Sequence, residues 1–277
     1  MTNLIGSALR RVRRFFYKRI LLPVLNREMK RQGIHFYQYL PEGDRLAVWP
    51  SLPWRLFDRR DKSHMGEGHW YHTLASRGVA ADVVFDVGAG YGATSIWFAN
   101  WAKQVFLFEP HPRNRRFVEE HHRIRRVDNV ELVPAAVSNR SGTATLFSKA
   151  YDGHHALSDV GASETTETFE VETVTLDEFA AARGIEHIDV LKVDVEGFEA
   201  EVFEGAAGLL GRHAVDLVLF EYSPPFYVAR GVDPALPLRR LTDHGYRITD
   251  LQGEPIDAVS AAGGRQQDLL AEPERRS

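Results

Sequence analysis

The chain has 277 residues, of which 44% are hydrophobic and 26% charged, and it contains no cysteine. A chain of this size can bury a sizeable globular core, and the lack of cysteine excludes disulfides, thiolate metal sites and cysteine nucleophiles. The net charge of −4 is uneven: residues 1–33 carry nine Lys and Arg against one acid, a net +8, which leaves −12 for the remainder. This acidic body argues against a nucleic-acid enzyme, which would present a basic surface.

Residues 1–33 predict a basic amphipathic helix, because apolar residues recur at helical spacings among the arginines. Two interpretations stay open: the helix packs on the body or on a second subunit of a homodimer, or it attaches to an anionic membrane surface. Its longest apolar run, residues 20–25, is short for a signal peptide. No segment approaches the ~18 apolar residues of a membrane-spanning helix. We therefore expect a cytoplasmic protein, either free or peripheral at the inner membrane face.

Residues 34–80 are rich in aromatic side chains and are broken into short pieces by Pro41, Pro50 and Pro53. Most of these rings are expected to pack in a core, although such rings also stack on sugar faces. This segment predicts a cap in front of a larger domain over residues 81–277.

From Ala81 onward, short apolar runs alternate with helical segments. The predicted strands are 83–87, 105–108, 130–137, 188–193, 215–220 and 246–251, and the predicted helices are 94–102, 113–125, 176–183, 199–210 and about 234–244. Residues 143–147 and 169–174 alternate as an antiparallel pair does, with His154 and His155 in the polar loop between them. The alternation predicts an α/β fold with a mostly parallel sheet and right-handed crossovers.

A glycine-rich turn follows the first predicted strand, in the order Asp86-Val-Gly88-Ala89-Gly90-Tyr-Gly. Glycines allow a sharp turn and let a ligand lie against the main chain, at the edge of the sheet where α/β proteins bind ligands. Glu109 ends the next strand, 23 residues after Asp86. An acid about 20 residues past such a turn accepts hydrogen bonds from the ribose hydroxyls of an adenosine cofactor. The alternative is that Glu109 only caps the following helix.

The glycine spacing bears on which adenosine cofactor binds. A nicotinamide site usually has G-x-G-x-x-G facing a helix N-terminus, whereas this chain has G-x-G-x-G directly after Asp86. A carboxylate there suits the ammonium group of S-adenosylmethionine and would repel a pyrophosphate. We therefore expect S-adenosylmethionine as cofactor. The alternatives are an NAD-dependent oxidoreductase on a Rossmann-like fold and a non-catalytic scaffold or membrane-associated binding protein.

Acids also close two later strands. Asp194 and Glu196 follow the strand 188–193, and Glu221 follows the strand 215–220. Asp194 is predicted as a base for an alcohol or as a ligand of a divalent cation such as Mg²⁺, and Glu221 frames the same metal or hydroxyl, or forms an ion pair with Lys192. For Asp194 and Glu196 the alternative is capping of the next helix.

Two histidines complete the candidates. His154 is a candidate general base that helps to position the alcohol, and a solvated loop residue is the alternative. His111 is expected on the adenine side.

Together these segments resemble the FkbM family of methyltransferases. The matching segments are 84–92, 108–112, 129–138, 176–179, 191–199, 220–221 and 267–273, and the K-x-D-x-E-G-x-E block at 192–199 is the most specific. The resemblance implies a Rossmann-like class I methyltransferase fold with a mostly parallel seven-stranded sheet and helices on both faces. It also implies S-adenosylmethionine as donor and O-methylation of a sugar, glycan or other small natural product.

The resemblance further assigns the predicted cofactor contacts. They are Asp86, Gly88, Ala89, Gly90, Glu109, Pro110 and, near adenine, Ala136. The family often has Asn where this chain has Gly90 and His111. Residues 1–66 fall outside the resemblance, and we expect them to bear on the choice of substrate.

Overall fold

The structure, a computed structural model, describes residues 36–39, 45–48, 73–74, 81–149, 155–159, 165–257 and 264–274. The chain divides into two compact units, residues 1–65 and 66–277. In the first unit, strands β1 (Phe36–Tyr39) and β2 (Arg45–Val48) pair antiparallel. The predicted helix of residues 1–33 lies outside the described residues, as does most of the aromatic-rich segment.

The second unit holds the remaining described strands and helices. Its strands are β3 (Ala81–Val87), β4 (Ala102–Phe108), β5 (Val130–Val133), β6 (Ala135–Val137), β7 (Gly142–Lys149), β8 (His155–Ala156), β9 (Thr165–Val174), β10 (Ile188–Val193), β11 (Val215–Tyr222), β12 (Tyr246–Asp250) and β13 (Gln267–Pro273). Its helices are α1 (Ala93–Ala99), α2 (Pro112–Arg125), α3 (Leu176–Arg183), α4 (Glu199–Glu204), α5 (Ala207–Gly211), α6 (Pro224–Ala229) and α7 (Leu236–Thr242).

Seven of these strands form one sheet in the order β12-β13-β11-β10-β3-β4-β5. The five from β11 to β5 are parallel, and β13 runs antiparallel between β11 and β12. Successive residues of the central strand β3 face opposite sides: Phe85 joins the larger apolar core, and Val84 joins a second core with Phe98 of α1. Burial on both faces explains the continuous apolar runs in the sequence. The predicted Rossmann-like fold is confirmed.

The other described sheet of this unit has the order β6-β9-β7-β8. The predicted antiparallel pairing of β7 with β9 is confirmed, with Leu146 opposite Phe169. Both strands extend beyond their predicted ends into the segment expected to be a polar loop, where β8 adds a short third strand to the pair.

Some predicted boundaries were wrong, each for a local reason. The strand predicted over 130–137 divides at Pro134, which has no N–H to continue the ladder. The helix predicted over 199–210 divides near Gly205, where a Cβ would lie 2.1 Å from the Ser138 carbonyl oxygen. Helix α1 ends at Ala99 instead of 102, and the Asn129 amide donates to the carbonyls of residues 99 and 102 at 2.9 Å each.

Helix α6 and the strands β1, β2, β8 and β13 were not predicted as such. Within the described part of the chain, no helix combines the length and the apolar character needed to cross a membrane.

Candidate active site

Gly88 brings the carboxyl ends of β3 and β10 into contact. It has a φ of +75°, and a Cβ on it would lie 1.8 Å from the Asp194 carbonyl oxygen. The Asp194 amide donates to the Val87 carbonyl at 3.0 Å. A side chain at position 88 would therefore push the two strands apart. Glycine at this position keeps Asp194 directly beside the glycine-rich turn.

Glu109 lies against the same turn from the end of β4. The residue is 4% exposed. Its Oε1 accepts from the His111 amide at 2.7 Å, and the Gly90 amide and the Asn114 side chain also donate to its carboxylate. Burial raises the pKa of Glu109 to about 7, and these hydrogen bonds oppose the shift. Sequence reasoning placed Glu109 in one crevice with the turn, and the structure brings the two together.

The turn also offers room for a ligand. Gly90 has a φ of +55°, and a Cβ there would meet no atom of the described residues within 4 Å. This open side contrasts with Gly88, which is packed against β10.

Asp86 is fully buried beneath the turn. Ser95 Oγ donates to its Oδ2 at 2.5 Å, and Lys192 Nζ lies 3.3 Å from its Oδ1. Lys192 also lies 3.4 Å from Asp194 Oδ2 and donates to the Gly88 carbonyl at 3.3 Å. A buried lysine needs such acidic partners to stay charged. Lys192, which sequence reasoning weighed only as a partner for Glu221, thus ties Asp86 and the turn to Asp194.

Three carboxylates converge at the ends of β10 and β11. Asp194, Glu196 and Glu221 each offer one oxygen, and these oxygens all lie within 4.8 Å of one another; we call these residues the carboxylate cluster. Burial, and next the negative charges of Asp194 and Glu196, raise the pKa of Glu221 to about 9, against a hydrogen bond from Gln266. The raised pKa favours uptake of a proton by the cluster. Such a cluster can share a proton or provide the oxygen ligands that Mg²⁺ and Ca²⁺ prefer.

His111 lies between the cofactor side and the second sheet. Its Nδ1 accepts from the Arg113 amide at 3.3 Å at the start of α2, and its ring stacks on His155 with centroids 4.0 Å apart. Burial lowers the pKa of His111 to about 3, so the ring is neutral at physiological pH.

Other predicted residues have less defined places. Ala136, expected near adenine, lies in β6 and packs with Leu146 and Val171. His154 lies outside the described residues, so its role as a general base stays a prediction.

Sequence reasoning missed two supporting residues. Ser95 carries no pattern that separates it from any helical serine. Glu199 was considered only as part of the 192–199 block and of a helix start, yet its side chain is 1% exposed. For Lys192 the sequence did indicate that the side chain has an acidic partner, because a lysine inside an apolar parallel strand is rarely buried without an acid beside it. It did not indicate which acid that partner is.

The described site combines a mostly parallel sheet, a glycine-rich turn, a buried acid at the end of the next strand and acids at the ends of two later strands. This arrangement is typical of a site for an adenosine cofactor. The model of the Methyltransferase FkbM domain matches residues 86–248, more than half of the chain. The chain therefore belongs to the FkbM family of S-adenosylmethionine-dependent methyltransferases, as its sequence predicted. Neither the oxidoreductase nor the non-catalytic alternative finds support.

Two relatives and one solved structure illustrate the similarity. The hexuronic acid methyltransferase AglP of Haloferax volcanii is 28% identical over 224 residues, which cover 78% of this chain and 82% of that protein. The 2-O-methyltransferase NoeI of Sinorhizobium fredii is 27% identical over 177 residues, covering 58% and 70%. The crystal structure of methyltransferase FkbM from Methylobacillus flagellatus is 14% identical with a TM-score of 0.45, covering 73% of this chain and 47% of that one.

Proposed function

We propose that the protein transfers a methyl group from S-adenosylmethionine to a hydroxyl oxygen of a sugar, either free or within a glycan. The observation that carries this proposal is the carboxylate cluster beside the glycine-rich turn. The names of the relatives support a sugar acceptor, since one acts on hexuronic acid and the other is a 2-O-methyltransferase.

The turn fits an adenosine cofactor. The open space at Gly90 accommodates the ligand against the main chain, and the buried carboxylate of Glu109 is placed to accept from ribose hydroxyls. Pro110 and Ala136 would border the adenine. Asp86 lies buried beneath the turn and fixes it through its contacts with Ser95 and Lys192. When bound, S-adenosylmethionine supplies a methyl group already activated by its positive sulfur.

Asp194 then acts on the acceptor. Its side chain is 29% exposed, so it reaches the cleft, while Lys192 restrains it from below. We assign it the removal of the proton from the acceptor hydroxyl. Glu221, whose raised pKa favours its protonated form, donates a hydrogen bond that orients the acceptor. Such orientation is a large part of what the protein must supply in a displacement of this kind.

As an alternative to this protonated arrangement, the same residues fit a divalent cation, which would displace the proton of Glu221. All three ligands are carboxylate oxygens, which suits Mg²⁺. The cation would supply positive charge that lowers the pKa of the acceptor hydroxyl. Titration calorimetry with MgCl₂ tests this, with Glu204→Gln as the control because Glu204 is not part of the carboxylate cluster and forms an exposed ion pair with Arg240. Identical heats for wild type and for Asp194→Asn would remove the cation from the proposal.

The proposed reaction is tested with a panel of acceptors. Purified protein is incubated with S-adenosylmethionine and methyl glycosides of glucuronic acid, glucose and fucose, and both S-adenosylhomocysteine and the O-methyl proton resonance are measured. We expect product from at least one uronic acid or neutral sugar. Absence of both S-adenosylhomocysteine and an O-methyl resonance with every acceptor of the panel would contradict the proposal.

A further inference from the structure

We propose that Glu199 is a positioning residue whose buried side chain holds the backbone of residues 195–197 so that the carboxylate cluster forms. This inference rests on the function proposed for that cluster. It adds a residue that touches neither cofactor nor acceptor and acts through the loop between β10 and α4.

The contacts of Glu199 converge on this loop. Its Oε1 accepts from the amides of Val195 and Gly197, at 3.3 Å each. Between these two amides stands Glu196, with a φ of +54°. For a residue other than glycine this left-handed conformation is uncommon and unfavourable, so surrounding contacts must hold it. The hydrogen bonds from the Val195 and Gly197 amides to Glu199 are such contacts, and they set the direction of the Glu196 side chain.

A second set of contacts restrains the loop from the side of α6. Arg230 donates to the Gly197 carbonyl and pairs with Glu201, while its guanidinium lies 3.4 Å from the centre of the Phe198 ring. Gly197 itself is pressed against Phe226, whose Cβ would lie 2.7 Å from a Cβ at position 197. The loop is thus held through its amides by Glu199 and through a carbonyl by Arg230.

The role of Glu199 requires an acceptor oxygen at a fixed distance, and a negative charge is not required. The Tyr227 hydroxyl faces the same carboxylate, and burial raises the pKa of Glu199 to about 7. A glutamine has the same length and keeps one acceptor oxygen for the two amides. An aspartate keeps the charge but draws its oxygens back by about 1.5 Å, the length of one C–C bond.

The experiment compares Glu199→Gln, Glu199→Asp and the control Glu204→Gln. Glu204 lies on the same helix but is exposed and pairs with Arg240. Each full-length variant is assayed for kcat and KM with a sugar acceptor that wild type methylates, and for S-adenosylhomocysteine affinity by calorimetry. Hydrogen exchange of the Val195 and Gly197 amides is followed by NMR.

We expect Glu199→Gln to keep kcat within about tenfold of wild type, since only hydrogen-bond strength changes. Glu199→Asp should lose roughly 100-fold in kcat, the usual effect of a misplacement near 1 Å. Its S-adenosylhomocysteine affinity should stay unchanged, because Glu109 and the glycine-rich turn are untouched. The amides should be protected in wild type and in Glu199→Gln and unprotected in Glu199→Asp.

The reverse order of activity, with aspartate better than glutamine, would overturn the proposal because it assigns Glu199 a charge or proton-transfer role. Full kcat in Glu199→Asp would overturn it as well. If Glu199→Asp does not fold, the amides decide: rapid exchange of Val195 and Gly197 in wild type or in an active Glu199→Gln refutes the proposal. Failure of the proposed function is separate, since it would be seen as wild-type protein that methylates no hydroxyl while these amides remain protected.

Discussion

The two acidic regions of the cleft differ in what satisfies their carboxylates. Glu109 stands alone, is almost completely buried and accepts from the Gly90 and His111 amides. The carboxylate cluster contains three acids that face one another and are only partly buried. Burial raises the pKa of both Glu109 and Glu221, but at Glu221 the neighbouring acids add to the shift, whereas at Glu109 hydrogen bonds reduce it.

This difference separates two tasks. A carboxylate already oriented by amides is suited to bind neutral hydroxyls, because it needs little reorganisation when the ribose arrives. Acids that repel one another are suited to take up a proton or a cation. The cofactor side is therefore preorganised, and the acceptor side gains most when positive charge enters it.

The largest effect should come from Asp194→Asn, which changes the carboxylate cluster and leaves Glu109 intact. We expect turnover to fall roughly 1000-fold, within the usual range for loss of a general base, and S-adenosylhomocysteine affinity to change little. Single-turnover assays and calorimetry measure the two quantities. Wild-type turnover in this variant would remove Asp194 from the chemistry.

Gly88→Ala should break the contact between the regions. Its Cβ would lie 1.8 Å from the Asp194 carbonyl oxygen, so we expect a loss of more than about 3 kcal/mol in the free energy of unfolding, as for other severe backbone clashes. Urea denaturation measures this loss. Gly90→Ala is the matched control: its φ is also positive but its Cβ enters open space, so it should cost only about 1–2 kcal/mol. Equal costs would show that backbone conformation matters here and contact with β10 does not.

Glu109→Gln should affect only the cofactor side. Replacing a charged acceptor by a neutral one should weaken S-adenosylhomocysteine roughly 30-fold, since hydrogen bonds to charged groups contribute roughly 1.5–3 kcal/mol. With saturating cofactor, kcat should be close to wild type. A variant that binds the cofactor normally but turns over slowly would place Glu109 on the acceptor side instead.

The smallest effect concerns pH. If the ionised form of Glu109 binds both ribose hydroxyls as proposed, its pKa of about 7 should make the affinity for methylthioadenosine rise about tenfold between pH 6 and pH 8. This probe has the ribose but lacks the ammonium and carboxylate groups of the amino-acid part, and His111 stays neutral throughout because its pKa is about 3. Glu109→Gln should abolish the dependence, and a flat wild-type profile would contradict the assignment.

The raised pKa of Glu109 also makes the stability of the free protein depend on pH, in the direction opposite to that of the cofactor affinity. Between pH 4.5 and about 7 the folded state binds a proton at Glu109 that the unfolded state has released. The free energy of unfolding should therefore fall as pH rises through this range. Thermal denaturation of wild type and Glu109→Gln measures the difference.

Much of the sheet could be predicted because its parallel strands are buried on both faces and therefore appear in the sequence as continuous apolar segments. Strand β10 and helix α3 were predicted with their observed bounds. Glu109 could be placed because strand order brings strand ends to one edge. Helix α6 was missed because it has only six residues and begins with two prolines, so its sequence carries little helical periodicity.

The roles of Lys192 and Glu199 depend on contacts that spacing does not encode. Lys192 reaches across to Gly88, 104 positions earlier in the chain. Glu199 turns back toward Val195 and Gly197, whereas an acid at a helix start is normally explained by the helix dipole alone. Neither contact follows from local periodicity.

Strand β13 has a consequence for biosynthesis. It is the last described strand of the chain, yet it lies between β11 and β12 and hydrogen-bonds to both. A nascent polypeptide therefore cannot complete this sheet until residues up to Pro273 have left the ribosome. Until then β11, which carries Glu221, has an uncovered edge that is open to wrong pairing.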